Sequence, residues 1–421
     1  MSPAGKRTDR PSRPAAKIAA PTGAESPWVL LRSATRHPFI FERMVRAADP
    51  QARPGDVVNL YDKSGALFGR GFYNPRSRIV VRVLTLDDQP IDETFWTGAI
   101  ARAIDLRRRL QLDRLTDAYR LIHAEGDGLS GLIAERYADC VVLELFSLGI
   151  FQRRAQLISL IRSALGAPWS LDRPDRASAE WRVVVRADPA IERLEGFQTP
   201  PEERVLDKPV VIREHGVRYH VDVAAGQKTG FFCDQRDNRL RFAQLARQSD
   251  VLDICCYTAG FGLCAKLLGD AKEVTSVDLD EEALAVARQN VNLNNTRINL
   301  VHADAFSYLR QMIGNARRFD AVALDPPKLA ASRTQLDEAL RKYHDLNSLA
   351  VQVVNPGGIF LTCSCSGLVS DQQFSQTVQH AARRAGRSLQ RFDQSGAAPD
   401  HPVMPNCPES AYLKALWFRV L

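Results

Sequence analysis

No stretch of the 421-residue sequence is apolar for the roughly 18 residues a bilayer-spanning helix needs, so no membrane partner is expected. The eight cysteines include no Cys-x-x-Cys and no Cys/His pairs at zinc spacing, so neither zinc nor an iron–sulfur cluster is expected, and no metal at all. No secretory signal is evident, and the thiols read as reduced ones in a cytoplasmic protein. There is no internal repeat. Nor is there a G-x-G-x-x-G run, which lowers the case for a dinucleotide enzyme.

What is present is 45% hydrophobic and 25% charged, enough for two or three ordinary cores. Lys and Arg number 56 against 49 Asp and Glu, a net charge of +7 that favours phosphate-rich partners. Residues 1–27 carry Lys6, Arg7, Arg10, Arg13 and Lys17 among Pro, Ala and Ser without apolar periodicity, and read as a disordered basic arm. Residues 28–98 hold short apolar runs, Asp56–Tyr61, Ala66–Tyr73 and Ile79–Leu86, that predict a small β-domain. Its Arg70, Arg76, Arg78 and Arg82 suit either phosphate contact or a solvated face. Helical spacing at Thr97–Leu110 and Phe151–Leu165, with strands near Leu132–Phe146, predicts a connecting α+β domain over 99–214.

From residue 215 to 421 strand-like and helix-like segments alternate. Val251–Ile254, Glu273–Val277, Ile298–Val301, Phe319–Leu324 and Ile359–Cys363 are short apolar runs, separated by helical stretches such as Glu281–Asn294 and Gln335–Val354. The alternation predicts an α/β domain whose parallel sheet has helices on both faces and binds ligands at the carboxyl ends of its strands. The first run leads through Asp253, Tyr257 and Thr258 into Gly260 and Gly262, small residues where a backbone must turn close to a ligand. Sixteen residues after Gly262 the second run ends at Asp278, an acceptor suited to ribose hydroxyls, with Asp280 as a helix-capping candidate. The third leads to Asp304, suited to accept from an adenine amino group.

The fourth and fifth runs carry different chemistry. Asp325-Pro326-Pro327-Lys328 follows Ala321–Leu324, and Cys363-Ser364-Cys365-Ser366-Gly367 follows Ile359–Thr362. Carbon 5 of a pyrimidine is a poor nucleophile until a thiolate adds to carbon 6, so its methylation needs a cysteine beside an acid that holds the base. Asp325 suits the N3/N4 edge of cytosine, Pro326 and Pro327 a stiff pocket wall, and Lys328 a thiolate or phosphate. Both Cys363 and Cys365 are candidate nucleophiles. Cys363 ends an apolar strand, whereas Cys365 lies among small polar residues that leave it.

The glycine-containing loop, the acids after runs two and three, and Asp-Pro-Pro after run four together resemble the class I S-adenosylmethionine-dependent methyltransferases. That resemblance implies a Rossmann-like seven-stranded sheet with its last strand antiparallel, for which Ala411–Val420 is the candidate. A closer likeness rests on the run Gly226 to Arg239, Tyr257–Phe261, Asp325–Lys328, Ser364–Gly367 and Asp400–Val403. It extends upstream through His37–Phe41, Arg78–Val83 and Gly126–Leu129. These segments resemble the bacterial large-subunit rRNA cytosine-5 methyltransferases of the RlmI type.

The likeness implies an N-terminal PUA domain, a central α+β domain, S-adenosyl-L-methionine as cofactor and Cys365 as nucleophile. It also implies large-subunit rRNA as partner. It points to Gln235 and Arg236 for the methionine carboxylate, and it leaves room for a homodimer. Ala259 stands where that family usually has glycine, adding a methyl expected near the cofactor. Two competing readings are amino-nitrogen methylation of guanine or adenine and a non-catalytic RNA-binding assembly factor.

Overall fold

Strands β1 (Trp28–Leu31), β2 (Phe39–Phe41), β3 (Val45–Ala48), β4 (Val57–Tyr61), β5 (Leu67–Tyr73) and β6 (Ile79–Thr85) form one six-stranded sheet, in the order β2-β6-β5-β4-β1-β3. The structure is a computed structural model that describes residues 20–168, 180–206, 209–223, 230–330 and 332–421. Most of the expected arm and Gly226–Thr229 of the motif run therefore lie outside the described residues. Val29, Leu31, Ile40, Val58, Leu60 and Val81 make the core of this sheet, each at an inward position of the strand period. Arg82 is buried, its guanidinium 5.4 Å from the Phe39 ring centroid, and Arg70 pairs with Asp88 at 2.6 Å. Of the four arginines expected to suit phosphate, Arg76 and Arg78 are the exposed ones.

This first compact unit ends at Pro90, and a second begins at Ile91. The second opens with helix α1 (Glu93–Arg109), whose N-terminus is capped by the Asp92 side chain accepting from the Phe95 amide. The expected boundary at 98/99 falls inside that helix. Strands β7 (Ala118–His123), β8 (Leu132–Tyr137), β9 (Cys140–Leu145) and β10 (Arg182–Arg186) form a four-stranded sheet, with helix α2 (Leu148–Leu165) between its last two members. After helix α3 (Pro189–Glu195), β11 (Val210–Glu214) and β12 (Val217–Val221) make an antiparallel hairpin. The expected boundary at 214/215 falls in its turn. One core contains Tyr137 and Val142 of the four-stranded sheet, Ile212 and Tyr219 of the hairpin, and Leu263 and Ala287 beyond it. The connecting segment and the α/β segment after it are thus parts of one unit.

Next come α4 (Arg236–Leu245), β13 (Asp250–Ile254), α5 (Gly260–Leu267), β14 (Glu273–Asp278), α6 (Glu281–Leu293), β15 (Asn299–His302), α7 (Ala305–Gly314) and β16 (Phe319–Leu324). They are followed by α8 (Leu336–Ala350), β17 (Val354–Ser364), α9 (Asp371–Arg384), β18 (Leu389–Ser395) and β19 (Lys414–Val420). The seven strands lie in the order β15-β14-β13-β16-β17-β19-β18. β19 runs antiparallel to both its neighbours, as expected of the last strand, and β13 to β17 are parallel. Parallel strands covered on both faces tend to be apolar along their length, and Ala321–Leu324 is fully buried. The order reverses between β13 and β16, which opens a crevice at their carboxyl ends. No helix among the described residues is long and apolar enough to cross a membrane.

Candidate active site

Between β13 and α5 the chain makes a turn with Cys255, Tyr257 and Ala259 all at positive φ, 60°, 51° and 63°. The left-handed region costs an L-residue about 1–2 kcal/mol, so this turn persists only because its surroundings fix it. The Tyr257 amide donates to Asp278 Oδ2 at 2.7 Å, the Cys256 amide to the Val277 carbonyl at 3.1 Å and the Gly262 amide to Asp253 Oδ2 at 2.9 Å. Gly262 must be glycine here: a Cβ on it would stand 2.3 Å from Ser276 Oγ. Asp253 is wholly buried, and burial, reinforced by the charges of Asp325 and Asp278, pushes its carboxyl up to about 7. Below the turn, Arg239 is held by both carboxylate oxygens of Glu214, at 2.8 and 2.9 Å, with both side chains buried. Arg239 also donates to the Phe232 carbonyl.

The strand ends enclose a cavity of about 540 Å³. Tyr257, Thr258, Gly260, Asp278 and Asp304 line one part of it. Gln235, Asp325, Pro326, Pro327, Lys328 and Cys365 line it as well. Two expected cofactor residues do not. Arg236 turns into the interior, where it donates to Asp400 Oδ1 at 2.7 Å, and Asp253 supports the turn from beneath. Sequence reasoning missed the apolar lining residues Phe231, Phe232, Ala303, Phe306 and Leu413, of which the first four lie within four positions of an expected one and Leu413 near none. The Ala259 methyl belongs to the core with Leu263 and Cys264, so it does not approach the cavity as expected.

The carboxylates are fixed. Asp278 accepts from the Tyr257 and Asp280 amides, one on each oxygen, and each oxygen keeps a lone pair for a hydroxyl. Asp304 caps α7 by accepting from the Ser307 amide, and Asp280 caps α6. Gln235 Nε2 donates to Asp325 Oδ2 at 2.9 Å.

The two candidate cysteines part company at the end of β17. Cys363 sits opposite Ala415 in the ladder, fully buried among Ala323, Leu361 and Trp417, and burial pushes its thiol well above the usual range. Cys365 lies just past the strand, partly buried, on the cavity wall. The serines on either side of it are both tied to Tyr343, whose hydroxyl is 3.0 Å from Ser364 Oγ and 3.1 Å from Ser366 Oγ. Lys414 Nζ donates to the Ser366 carbonyl from the other side.

Behind the cavity wall the unit buries many charges. Arg107 pairs with Asp127, Arg120 with Glu135 and Arg236 with Asp400. His123 and His401 lie in the same region, ring centroids 5.1 Å apart, and His401 is buried rather than presented to a ligand.

A family model described as S-adenosylmethionine-dependent methyltransferase matches residues 181–419, and one described as PUA-like domain matches residues 32–86. A protein of Enterobacter sp. (strain 638) named Ribosomal RNA large subunit methyltransferase I is 39% identical over 390 residues, covering 92% of this chain and 96% of its own. One of the same name from Pseudoalteromonas atlantica is 38% identical, with 92% and 96% covered. Among solved structures, SMU.776 complexed with SAH aligns with a TM-score of 0.74 at 21% identity, over 91% of this chain and 96% of that one, a likeness of fold. The cofactor is S-adenosylmethionine, and the chain belongs to the S-adenosylmethionine-dependent methyltransferases, in the branch that carries a PUA-like domain and includes the proteins named Ribosomal RNA large subunit methyltransferase I.

Proposed function

We propose that the protein methylates carbon 5 of a cytosine in large-subunit rRNA through a covalent adduct on Cys365. The observation that carries this reading is that Cys365 and Asp325-Pro326-Pro327-Lys328 line the same cavity as Tyr257, Asp278 and Asp304. A thiol and an acid next to a methyl-donor site are what carbon-5 chemistry demands.

The residues fit the cofactor. Asp278 would take the ribose hydroxyls, Asp304 the adenine amino group, and Tyr257, Thr258 and Gly260 would lie along the rest. When bound, S-adenosylmethionine supplies an electrophilic methyl group. Asp325 accepts from the exocyclic amino group of cytosine, while Pro326 and Pro327 give the pocket a wall that cannot flex. Cys365 Sγ bonds to carbon 6, and the electron pair displaced from the ring double bond makes carbon 5 nucleophilic. Once carbon 5 is methylated, a water molecule takes its proton, the C5–H electron pair re-forms the ring double bond, and the C6–S bond breaks to release the Cys365 thiolate.

Large-subunit rRNA is the substrate on the strength of the relatives' name, the PUA-like domain and the net charge of +7. A base within a duplex hides its ring face, so the target is single-stranded, bulged or flipped out. The test is methyl transfer to rRNA from a deletion strain, with the nucleoside identified by mass spectrometry. The expected product is 5-methylcytidine, abolished by Cys365→Ala and retained by Cys363→Ala. An N-methylated guanosine or adenosine, or full activity in both variants, would sink the proposal.

A further inference from the structure

Gln235 is the end of a hydrogen-bond chain that starts in the sheet. The indole Nε1 of Trp417 on β19 donates to Ser395 Oγ on β18 at 2.8 Å. Ser395 Oγ donates to Asn238 Oδ1 at 2.7 Å, Asn238 Nδ2 to Gln235 Oε1 at 2.6 Å, and Gln235 Nε2 to Asp325 Oδ2 at 2.9 Å. Trp417, Asn238 and Gln235 are all buried.

The direction of this chain is set by chemistry. An indole nitrogen only donates, so Ser395 Oγ accepts from Trp417 and keeps its proton for Asn238 Oδ1. A second constraint acts independently. Asn238 Nδ2 lies 3.1 Å from the Gly396 carbonyl, which only accepts, so the amide nitrogen must face that way. With Asn238 fixed from two sides, its remaining N–H points at Gln235 Oε1, and the amide nitrogen of Gln235 must face Asp325. A donor held against a carboxyl oxygen selects the form of that carboxyl that only accepts.

We propose that Asn238, keyed by Trp417, Ser395 and the Gly396 carbonyl, is a positioning residue that holds Gln235 with its N–H groups toward Asp325, and that this fixed polarity makes the site select cytosine over uracil. The inference rests on the carbon-5 reading above. Cytosine presents an amino group at position 4 and uracil a carbonyl oxygen. In one pose an acceptor-only Asp325 bonds the first and faces the second oxygen to oxygen. Turning Gln235 over would put Oε1 against Asp325 Oδ2, where a protonated carboxyl would spend its one proton, leaving toward the base a neutral carbonyl oxygen that holds the cytosine amino group less well and repels uracil O4 less.

The test uses the full chain, S-adenosylmethionine and two rRNA transcripts that differ only at the mapped target, cytosine in one and uracil in the other. Asn238→Asp removes the donor to Gln235, whose amide then turns to donate to the new carboxylate. Ser395→Ala, at a partly exposed position, removes one link of the chain without adding charge. The expected result is a cytosine-over-uracil ratio of kcat/KM that falls about tenfold or more in Asn238→Asp, the scale of one misdirected bond to a charged group, and falls by less in Ser395→Ala, where the Gly396 carbonyl still holds Asn238. Calorimetric binding of S-adenosylmethionine reports folding. If Asn238→Asp fails to bind it, Asn238→Ala, which removes the donor to Gln235 without adding charge, decides. Wild-type 5-methylcytidine formation with a ratio within twofold of wild type in the folded variants overturns this inference alone. A wild-type product other than 5-methylcytidine overturns the proposed function, and this inference with it.

Discussion

Lys414 Nζ donates to the Ser366 carbonyl oxygen at 2.9 Å and to the Tyr412 carbonyl at the same distance, from a residue only 4% exposed. Burial lowers its pKa, and the bond to Ser366 ties the first residue of β19 to the loop that carries Cys365. Lys414→Met keeps the aliphatic stem and removes both donors. Buried carbonyls left without partners cost about 1–3 kcal/mol. Denaturant unfolding should show that loss. Methyl transfer should fall at least about tenfold, the equivalent of 1.4 kcal/mol, with cofactor affinity within twofold. Unchanged turnover would show that the loop does not need this tether.

Gly262→Ala and Ala259→Gly should behave oppositely although both lie in the cofactor turn. The added Cβ at 262 meets Ser276 Oγ at 2.3 Å and Asp253 Oδ2 at 3.2 Å, in a buried region that cannot yield. Overpacking of this kind costs about 1–3 kcal/mol and should weaken cofactor binding, read by calorimetry. Ala259 sits at φ 63° with its methyl in the core, so Ala259→Gly relieves backbone strain and loses one buried methyl. Its net effect should stay within about 1 kcal/mol, with cofactor affinity unchanged.

Asp253 gives a pH signature. Its carboxyl is raised from 3.8 to about 7 in the folded protein, so the folded state holds the proton more tightly than the unfolded chain does. The stability this contributes is complete below 3.8 and is lost as pH rises through 7. Asp253→Asn imitates the protonated form at every pH. In denaturant titrations the variant should gain on wild type by about 1.4 kcal/mol for each pH unit between 5 and 7. A parallel pair of pH profiles would refute this.

His123 gives the reverse slope. Its Nδ1 lies 2.8 Å from Arg120 Nη1, a donor-only group, so the ring must accept there and stay neutral. Burial first, then the Arg120 charge, lower its pKa from 6.5 to about 2. Stability from a depressed histidine is complete above 6.5 and is lost as pH falls toward 2. His123→Gln should flatten the acid side of the stability profile between pH 6.5 and 5. Asp400, held below the usual carboxylate range despite its burial by His401 and Arg236, contributes its loss only in stronger acid.

The strands that carry the cavity were legible because each holds a short cluster of apolar residues, broken only by single polar ones such as Asp253, Asn299 and Asp320, between helix-like stretches. β18 was not. Its sequence, Leu389 to Ser395, is an edge strand with most side chains exposed, so neither an apolar run nor strict alternation marks it. Gln235 and Arg236 were expected to act together, yet adjacent positions entering a helix point about 100° apart, and one faces the cavity while the other faces Asp400. Asp253 was misplaced for a related reason. It lies inside β13, where the period of two and the close contact with Gly262 turn it beneath the turn. The expected limits at 98 and 214 fall inside α1 and in the turn of the hairpin, places that composition does not mark.

The bidentate grip of Glu214 on Arg239 spans that second expected limit. A recombinant catalytic half begun at residue 215 would leave the guanidinium without its carboxylate in dry surroundings, 3.7 Å from where a Cβ on Gly260 would lie. The methyl-donor turn would lose its footing before any cofactor arrived. Excision of this enzyme's working half therefore has to start upstream of the hairpin, and the preceding segment is a chassis for catalysis rather than a spacer.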